Sequence, residues 1–178
     1  MKDIALHLLE VLENSMRANS TTISVHLKRD EKSISFYVKD NGCGMDECQM
    51  KSLRERSNAH PSFSGIGLSK LFFDAESTGG RVLIDSKLNE GTSVYAEFFM
   101  DTDTKPNLGD VHSVISVLVS QENLAIKFCY RVGNTSFVFD SVEFEKTLSG
   151  KRYMPDAVRS AREFIKENIE KLNGGLAI

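Results

Sequence analysis

The chain has 178 residues, enough for one generous domain or two small ones, and its 40% hydrophobic and 26% charged content is that of a globular protein. A net charge of −3 argues against a general nucleic-acid binder, and no apolar run is long enough to span a bilayer. The start Met1-Lys2-Asp3-Ile4 lacks signal-peptide organisation, and three sparse cysteines give no disulfide framework, so the expected compartment is the reducing cytoplasm.

Asp3 to Ala18 reads as a first helix, capped by Asp3, with Ile4, Leu8, Leu12 and Ser15 or Met16 at helical spacing. Thr21 to Lys28 alternates, with Ile23, Val25 and Leu27 on one face. A polar turn, Arg29-Asp30-Glu31-Lys32, leads into a second alternating run carrying Ile34, Phe36 and Val38, which predicts a hairpin. That strand is broken sharply by Asp40-Asn41-Gly42-Cys43-Gly44-Met45. Asp46 to Ser64 is polar and poorly periodic, with room for a short helix at Glu47 to Leu53 and a mobile loop for the rest.

Gly65-Ile66-Gly67 opens a second helix, with Leu68, Leu71, Phe72 and Ala75 as its buried stripe and Gly79-Gly80 as its stop. Arg81 to Leu88 and Thr92 to Met100 read as two strands joined by Asn89-Glu90-Gly91. The order helix, hairpin, loop, helix, hairpin predicts an α+β fold with a helix layer on one face of a mixed sheet. The polar, proline-bearing stretch Asp101 to Asn107 is the boundary candidate. It divides the chain into residues 1–100, a linker at 101–108 and a small α+β unit at 109–178. In that unit we expect a helix from Gly109 to Ser120, strands at Leu124 to Val132 and Ser136 to Phe139, and a long helix opened by Pro155. The apolar face of the last helix carries Ala157, Val158, Ala161, Phe164, Ile165, Ile169 and Leu172, and Gly174 stops it. With no catalytic cluster, the unit reads as an interaction or dimerisation module, and a homodimer is one expectation.

Several weak signals carry chemistry. Glu10, Asn14 and Arg17 fall at i, i+4 and i+7, which lines a carboxylate, an amide and a guanidinium along one helix face; a solvated face with a Glu13–Arg17 ion pair is the other reading. Asp40, followed by Gly42 and Gly44, offers an acceptor for an amino group beside bare backbone that a flat ligand can approach, although Asp-Asn-Gly is also ordinary turn chemistry. Gly65-Ile66-Gly67-Leu68 at a helix start exposes free N–H groups and the positive end of the helix dipole, both suited to phosphate. Gly91-Thr92 enters the last strand of this part, where a tight turn also explains the glycine. Cys43, Cys48 and His60 match no common zinc spacing.

Taken in order, E-x-x-x-N, D-x-G-x-G after a strand, G-x-G-L opening a helix and G-T before a strand resemble the GHKL nucleotide-binding domain, from Met1 to Met100. That family includes gyrase, MutL, a heat-shock chaperone and histidine kinases. Glu10-Val11-Leu12-Glu13-Asn14-Ser15 is similar to the MutL version. The resemblance implies the Bergerat two-layer α/β sandwich and binding of ATP with Mg²⁺. It implies that Asp40 bonds the adenine amino group with help from Thr92, that Gly42 and Gly44 lie against the base, and that Met45 lines its pocket. By the same resemblance Asn14 holds Mg²⁺, Gly65 and Gly67 with the N–H groups of Ile66 and Leu68 cradle the triphosphate, and Glu10 is the general base. Arg17 stands where histidine kinases carry a phosphate-contacting Lys, so this helix pairs a hydrolase-like base with a kinase-like cation. Glu47 to Ser64 corresponds to a short ATP lid, in which Lys51, Arg54, Arg56 and His60 are either γ-phosphate contacts or solvated groups.

The implied activity is histidine-kinase-like transfer of the γ-phosphate to a partner protein; the alternative is an ATP-gated switch or slow ATPase that signals nucleotide state without transfer. A domain that opens at residue one leaves no place for the phosphoacceptor hairpin of a conventional histidine kinase, which is why the acceptor is expected on another protein. Leu108-Gly109-Asp110-Val111, Phe137-Val138-Phe139-Asp140 and the closing helix resemble small bacterial ATP-binding proteins encoded near iron-hydrogenase or NADH-dehydrogenase-like subunits.

Overall fold

The computed structural model describes residues 3–57, 68–100 and 106–174. Gly65, Ile66, Gly67 and His60, and with them the opening of the second predicted helix, lie outside the described residues.

The Asp3 carboxylate accepts the N–H groups of Ala5 at 2.9 Å and Leu6 at 3.3 Å, satisfying two donors that a helix start leaves unpaired. Helix α1 follows as Ile4–Arg17, burying Ile4, Ala5, Leu8, Val11 and Leu12 along one side. Strands β1 (Thr22–Arg29) and β2 (Ser33–Asp40) form the predicted antiparallel hairpin, in register from Ile23 opposite Asp40 to Arg29 opposite Ile34. Helix α2 runs Glu47–Ser57, four residues beyond the short helix predicted to end at Leu53. Its polar sequence hides the helix because, among the described side chains, only Met50 and Leu53 reach the core, three residues apart.

Helix α3 (Leu68–Glu76) buries Leu68, Leu71, Ala75 and an acid, Asp74, while Phe72 is only half-buried. Strands β3 (Arg81–Lys87) and β4 (Gly91–Phe99) pair antiparallel, and β4 pairs on its other edge with β2. Helix α4 spans Val111–Val119, two residues later than predicted at its start. Gly109 has φ +70°, a left-handed turn that no helix continues, and Asp110 caps α4 by accepting from the Ser113 N–H at 3.0 Å. Strands β5 (Ala125–Val132) and β6 (Thr135–Asp140) come next, then a short unpredicted helix α5 (Ser141–Lys146) and helix α6 (Pro155–Leu172). Helix α5 exists because the Asp140 carboxylate ends the strand and caps the Val142 and Glu143 N–H groups.

The six strands form one sheet in the order β3-β4-β2-β1-β5-β6, and β5 lies parallel to β1 with all other pairs antiparallel. Alternation then sets the layers. Ile23, Val25 and Leu27 pair with Ile126, Phe128 and Tyr130, and all six are buried on one face. That face also carries Phe36, Val38, Val94, Ala96 and Phe98, and the apolar stripes of α1, α3, α4 and α6 cover it. The opposite face carries Leu83 and Tyr37, which stay partly exposed. The result is the predicted two-layer α+β sandwich.

Candidate active site

Asp40 ends β2 and is buried, with three hydrogen-bond donors converging on its carboxylate. Ser15 Oγ from α1 donates to Oδ2 at 2.7 Å. The Gly42 N–H and the Thr92 N–H donate to Oδ1 at 2.9 and 3.2 Å. A carboxylate offers about four lone-pair directions, so one stays open to a further donor.

The loop after Asp40 is fastened on both sides. Toward the first helix, the Cys43 N–H donates to the Ala18 carbonyl at 2.9 Å, and Asn41 Oδ1 accepts the N–H groups of Thr21 and Thr22, each at 2.9 Å. Toward the β3–β4 turn, the Asn89 N–H donates to the Cys43 carbonyl at 2.7 Å, and the Met45 N–H donates to Ser86 Oγ at 2.9 Å. The Ser86 hydroxyl also lies 2.8 Å from Thr92 Oγ1. Met45, half-buried against the core, is therefore tied through Ser86 to Thr92.

The two glycines of the loop have packing reasons of their own. A Cβ on Gly42 would fall 2.6 Å from Ala18 Cβ. Gly44 has φ +64°, and a Cβ there would meet the Lys87 carbonyl oxygen at 2.0 Å. Glycine lets the chain pass tightly between the end of α1 and the β3–β4 turn.

Along α1, Glu10 is partly exposed, and burial raises its carboxyl above the ordinary carboxylate range, against the opposing charge of Lys70. Its Oε2 is buried without a hydrogen bond and lies 3.9 Å from His7 Nδ1, also without one. His7 is 1% exposed, and its other nitrogen, Nε2, lies 3.0 Å from Asp74 Oδ2 on α3. Lys70 Nζ donates to the same Asp74 oxygen at 2.7 Å. Burial alone would push Asp74 up, but Lys70 and then His7 outweigh it and hold the carboxyl below its usual range. Burial is also the main cause that lowers the His7 pKa, with Lys70 next.

Asn14 is half-buried, and its side-chain amide has no hydrogen-bond partner among the described residues. The neighbouring Ser15–Asp40 bond puts this part of α1 beside the Asp40 loop. Arg17 points to solvent and pairs with Glu13 Oε2 at 3.2 Å, the i,i+4 surface pair of the plainer reading. Leu68 is buried as the first residue of α3. Asp40, Gly42, Met45 and Thr92 are thus joined in one hydrogen-bonded unit with the first helix, Gly44 packs within the same loop, and Arg17 stands apart at the surface. Sequence reading missed Ser15, Ser86, and the His7–Asp74–Lys70 group. Of these, Ser15 alone had a place in the pattern, at the helical spacing of the first helix. No group of metal-ligating His, Cys, Asp or Glu side chains forms among the described residues, and no helix there is long and apolar enough to cross a membrane.

Residues 2–102 match the family model described as histidine kinase-, DNA gyrase B-, and HSP90-like ATPase. A candidate sensor protein of Shewanella frigidimarina (strain NCIMB 400) is 30% identical over 95 residues, covering 49% of this chain and 14% of that longer protein. The fold is similar to an Aquifex aeolicus MutL ATPase domain complexed with ADP, at TM-score 0.51 and 15% identity, covering 98% of this chain and 70% of that one. It is also similar to the N-terminal domain of a DNA repair protein, at TM-score 0.51 and 14% identity, covering 84% of this chain and 57% of that one.

Proposed function

From the premise that this chain belongs to the histidine kinase-, DNA gyrase B-, and HSP90-like ATPase family, we propose that it binds ATP with Mg²⁺ and transfers the γ-phosphate to a partner protein. The observation that carries the binding half is the buried Asp40 carboxylate, preset by Ser15, Gly42 and Thr92 with one acceptor direction open. An adenine amino group supplies the missing donor, Gly42 and Gly44 let the base lie against the loop, and Met45 borders it. Gly65, Ile66, Gly67 and Leu68 form the phosphate cradle in this reading.

The Mg²⁺ assignment rests on Asn14. Its amide oxygen is an oxygen ligand of the kind Mg²⁺ takes, half-buried and uncommitted among the described residues. Bound there, the ion would offset the charge of the phosphates. Glu10, whose burial raises its proton affinity, takes the proton from the attacking hydroxyl. Oxygen then bonds the γ-phosphorus, and the bridging bond breaks with its electron pair leaving on ADP. The C-terminal segment, through α6 or the exposed side chains near it, is the proposed contact with the partner or with a second copy.

One observation favours a second reading. Arg17 is engaged with Glu13 at the surface, which leaves the kinase-like cation of this helix uncommitted to phosphate. An ATP-gated switch with slow hydrolysis fits that arrangement as well, and the MutL ATPase domain solved with ADP offers a model for it.

The test uses ATP labelled at the γ-phosphate, with Mg²⁺ and proteins encoded beside this one. Label on a partner, lost with Glu10→Ala while ATP affinity is kept, supports transfer. Binding followed only by slow phosphate release supports the switch. Unchanged turnover in Glu10→Ala removes Glu10 as the base.

A further inference from the structure

We infer that the open face of the sheet is a docking surface for an acidic protein, one that presents an aliphatic or aromatic ridge between carboxylates. The inference goes beyond the ATP reading and does not depend on it.

A sheet with one solvated face ordinarily carries polar side chains there. One row of this face does not. Leu83, Tyr95, Tyr37, His26, Cys129 and Val138 are cross-strand partners in turn, so a single band of them crosses all six strands. Leu83 is 57% exposed, Tyr37 37% and Val138 51%. The His26 and Tyr37 rings lie 6.3 Å apart, and the Arg81 guanidinium stands 5.8 Å from the centre of the Tyr95 ring. Apolar side chains scattered singly over a surface need no partner, but a contiguous band marks a contact site. Strands of six to nine residues, about 4.8 Å apart, make a face of roughly 700 Å². That approaches the ~800 Å² each partner brings to a standard interface.

The charges select the partner. Lys28, Lys39, Lys127 and Arg131 flank the band on β2, β1 and β5, and these three adjacent strands place no acid on this face. Lys28 pairs with Asp30 in the turn. Lys39 and Lys127 have no ion partner among the described residues, and Arg131 Nε donates to the Gly133 carbonyl of its own turn. The acids of the face stand on the outer strands, where Glu97 pairs with Arg81 and Asp140 caps α5. The whole chain carries a net charge of −3, so the basic centre is a local feature.

A second copy laid on this centre would bring the same cations into the same contact. A single-stranded nucleic acid suits the rings and the cations, but it would leave Leu83 and Val138 wet and set phosphates beside Glu97 and Asp85. An acidic protein with an apolar ridge meets both features. Its ridge covers the band and its carboxylates reach the cations. Burial around Tyr37 supplies affinity, while the flanking charges supply encounter rate, selection and salt dependence. The surface is separate from α6, whose Phe164 ring packs on Phe137 and Phe139 on the other face.

The test uses the intact ¹⁵N-labelled chain and two cyclic β-hairpin peptides. Each presents a Leu and Tyr row on one face, flanked by Glu in one peptide and by Lys in the other. The Glu hairpin should move amide signals of β4, β2, β1 and β5, less so as salt rises, and the Lys hairpin should leave them in place. Tyr37→Ser should weaken the Glu hairpin by roughly tenfold or more. Lys127→Glu combined with Arg131→Glu should weaken it by a similar factor and admit the Lys hairpin. All three side chains are exposed, and unmoved amides away from the face report that the variants stay folded. No binding of the Glu hairpin, or equal binding of both hairpins, overturns the proposal. Single-stranded oligothymidine that binds the same amides more tightly than the Glu hairpin overturns it in favour of nucleic acid. A chain that sediments as a dimer, and as a monomer with Tyr37→Ser, overturns it in favour of a second copy. None of these results bears on ATP binding, which the Asp40 titration tests separately.

Discussion

Ser15 on the first helix donates a 2.7 Å hydrogen bond to Asp40 at the end of the second strand, and the bond is buried. It fixes the carboxylate between two elements that the chain forms separately. Ser15→Ala should cost about 1–3 kcal/mol of stability, since it strips a buried acceptor of one partner. It should also weaken ATP binding several-fold by freeing the carboxylate to rotate. Urea unfolding and an ATP titration on the same preparation check both effects. Unchanged values in both would mean that the bond is dispensable.

Gly91 opens β4 at φ +93°, and a Cβ there would sit 2.1 Å from the Asp40 carbonyl oxygen. Gly91→Ala must therefore push β2 and β4 apart beside the carboxylate. A loss of stability larger than the roughly 1–2 kcal/mol that a left-handed backbone costs a residue with a Cβ is expected, with ATP affinity falling alongside. Gly133→Ala is the comparison, because a Cβ there meets nothing within 4 Å although its φ is also positive, at +54°. The smaller effect at Gly133, measured by thermal unfolding, isolates the clash from backbone strain.

Burial lowers the His7 pKa below its ordinary 6.5, so the unfolded chain binds this proton more readily than the folded one. Its contribution to stability is fully present above about pH 6.5 and is lost as pH falls through that value toward the lower folded pKa. His112 is lowered too, mainly by burial, and adds to the same slope. Unfolding free energy should therefore drop between about pH 7.5 and pH 5.5. His7→Gln should flatten part of that drop and leave the His112 share. A variant with the wild-type slope would show that His7 titrates alike in both states.

Arg152 is buried and donates to the carbonyls of Glu122 and Leu124 at 2.9 and 2.6 Å and to Glu145 Oε2 at 2.7 Å. It clasps the turn before β5 to the segment after β6. Arg152→Met keeps much of the stem but leaves buried carbonyls unpaired, and should cost about 1–3 kcal/mol in urea unfolding. Arg152→Lys should recover little, because one ammonium cannot match acceptors spread around a planar fork.

Much of this fold is written locally. The alternation Ile34, Phe36, Val38 marks β2, Asp3 marks the start of α1, and Pro155 and Gly174 bracket α6, because periodicity and caps act within a few residues. The Asp40-to-Met45 loop was legible for the same reason. What stayed hidden depends on distance along the chain. Asp74 sits in an apolar stripe where a pattern expects Leu or Ala, and its reason is His7, 67 positions away. The parallel pairing of β5 with β1 leaves no local mark. Ser15 falls on the helical stripe and Ser86 looks like a neutral strand residue, and neither shows its bond to the Asp40 loop until the chain folds between them. Helix α2 runs past the end its pattern predicts because Met50 and Leu53, its core contacts among the described side chains, make too short a stripe to mark the last turn.

Adenine recognition by Asp40 is tested most directly by calorimetric titration of the chain and of Asp40→Asn with ATP and Mg²⁺. The asparagine keeps the size of the side chain but can turn a donor toward the adenine amino group and give Ser15 a poorer acceptor. We expect one ATP bound per chain and at least a tenfold loss of affinity in the variant, roughly 1.4 kcal/mol or more. A wild type that binds no ATP, or a variant that binds it equally well, would contradict it.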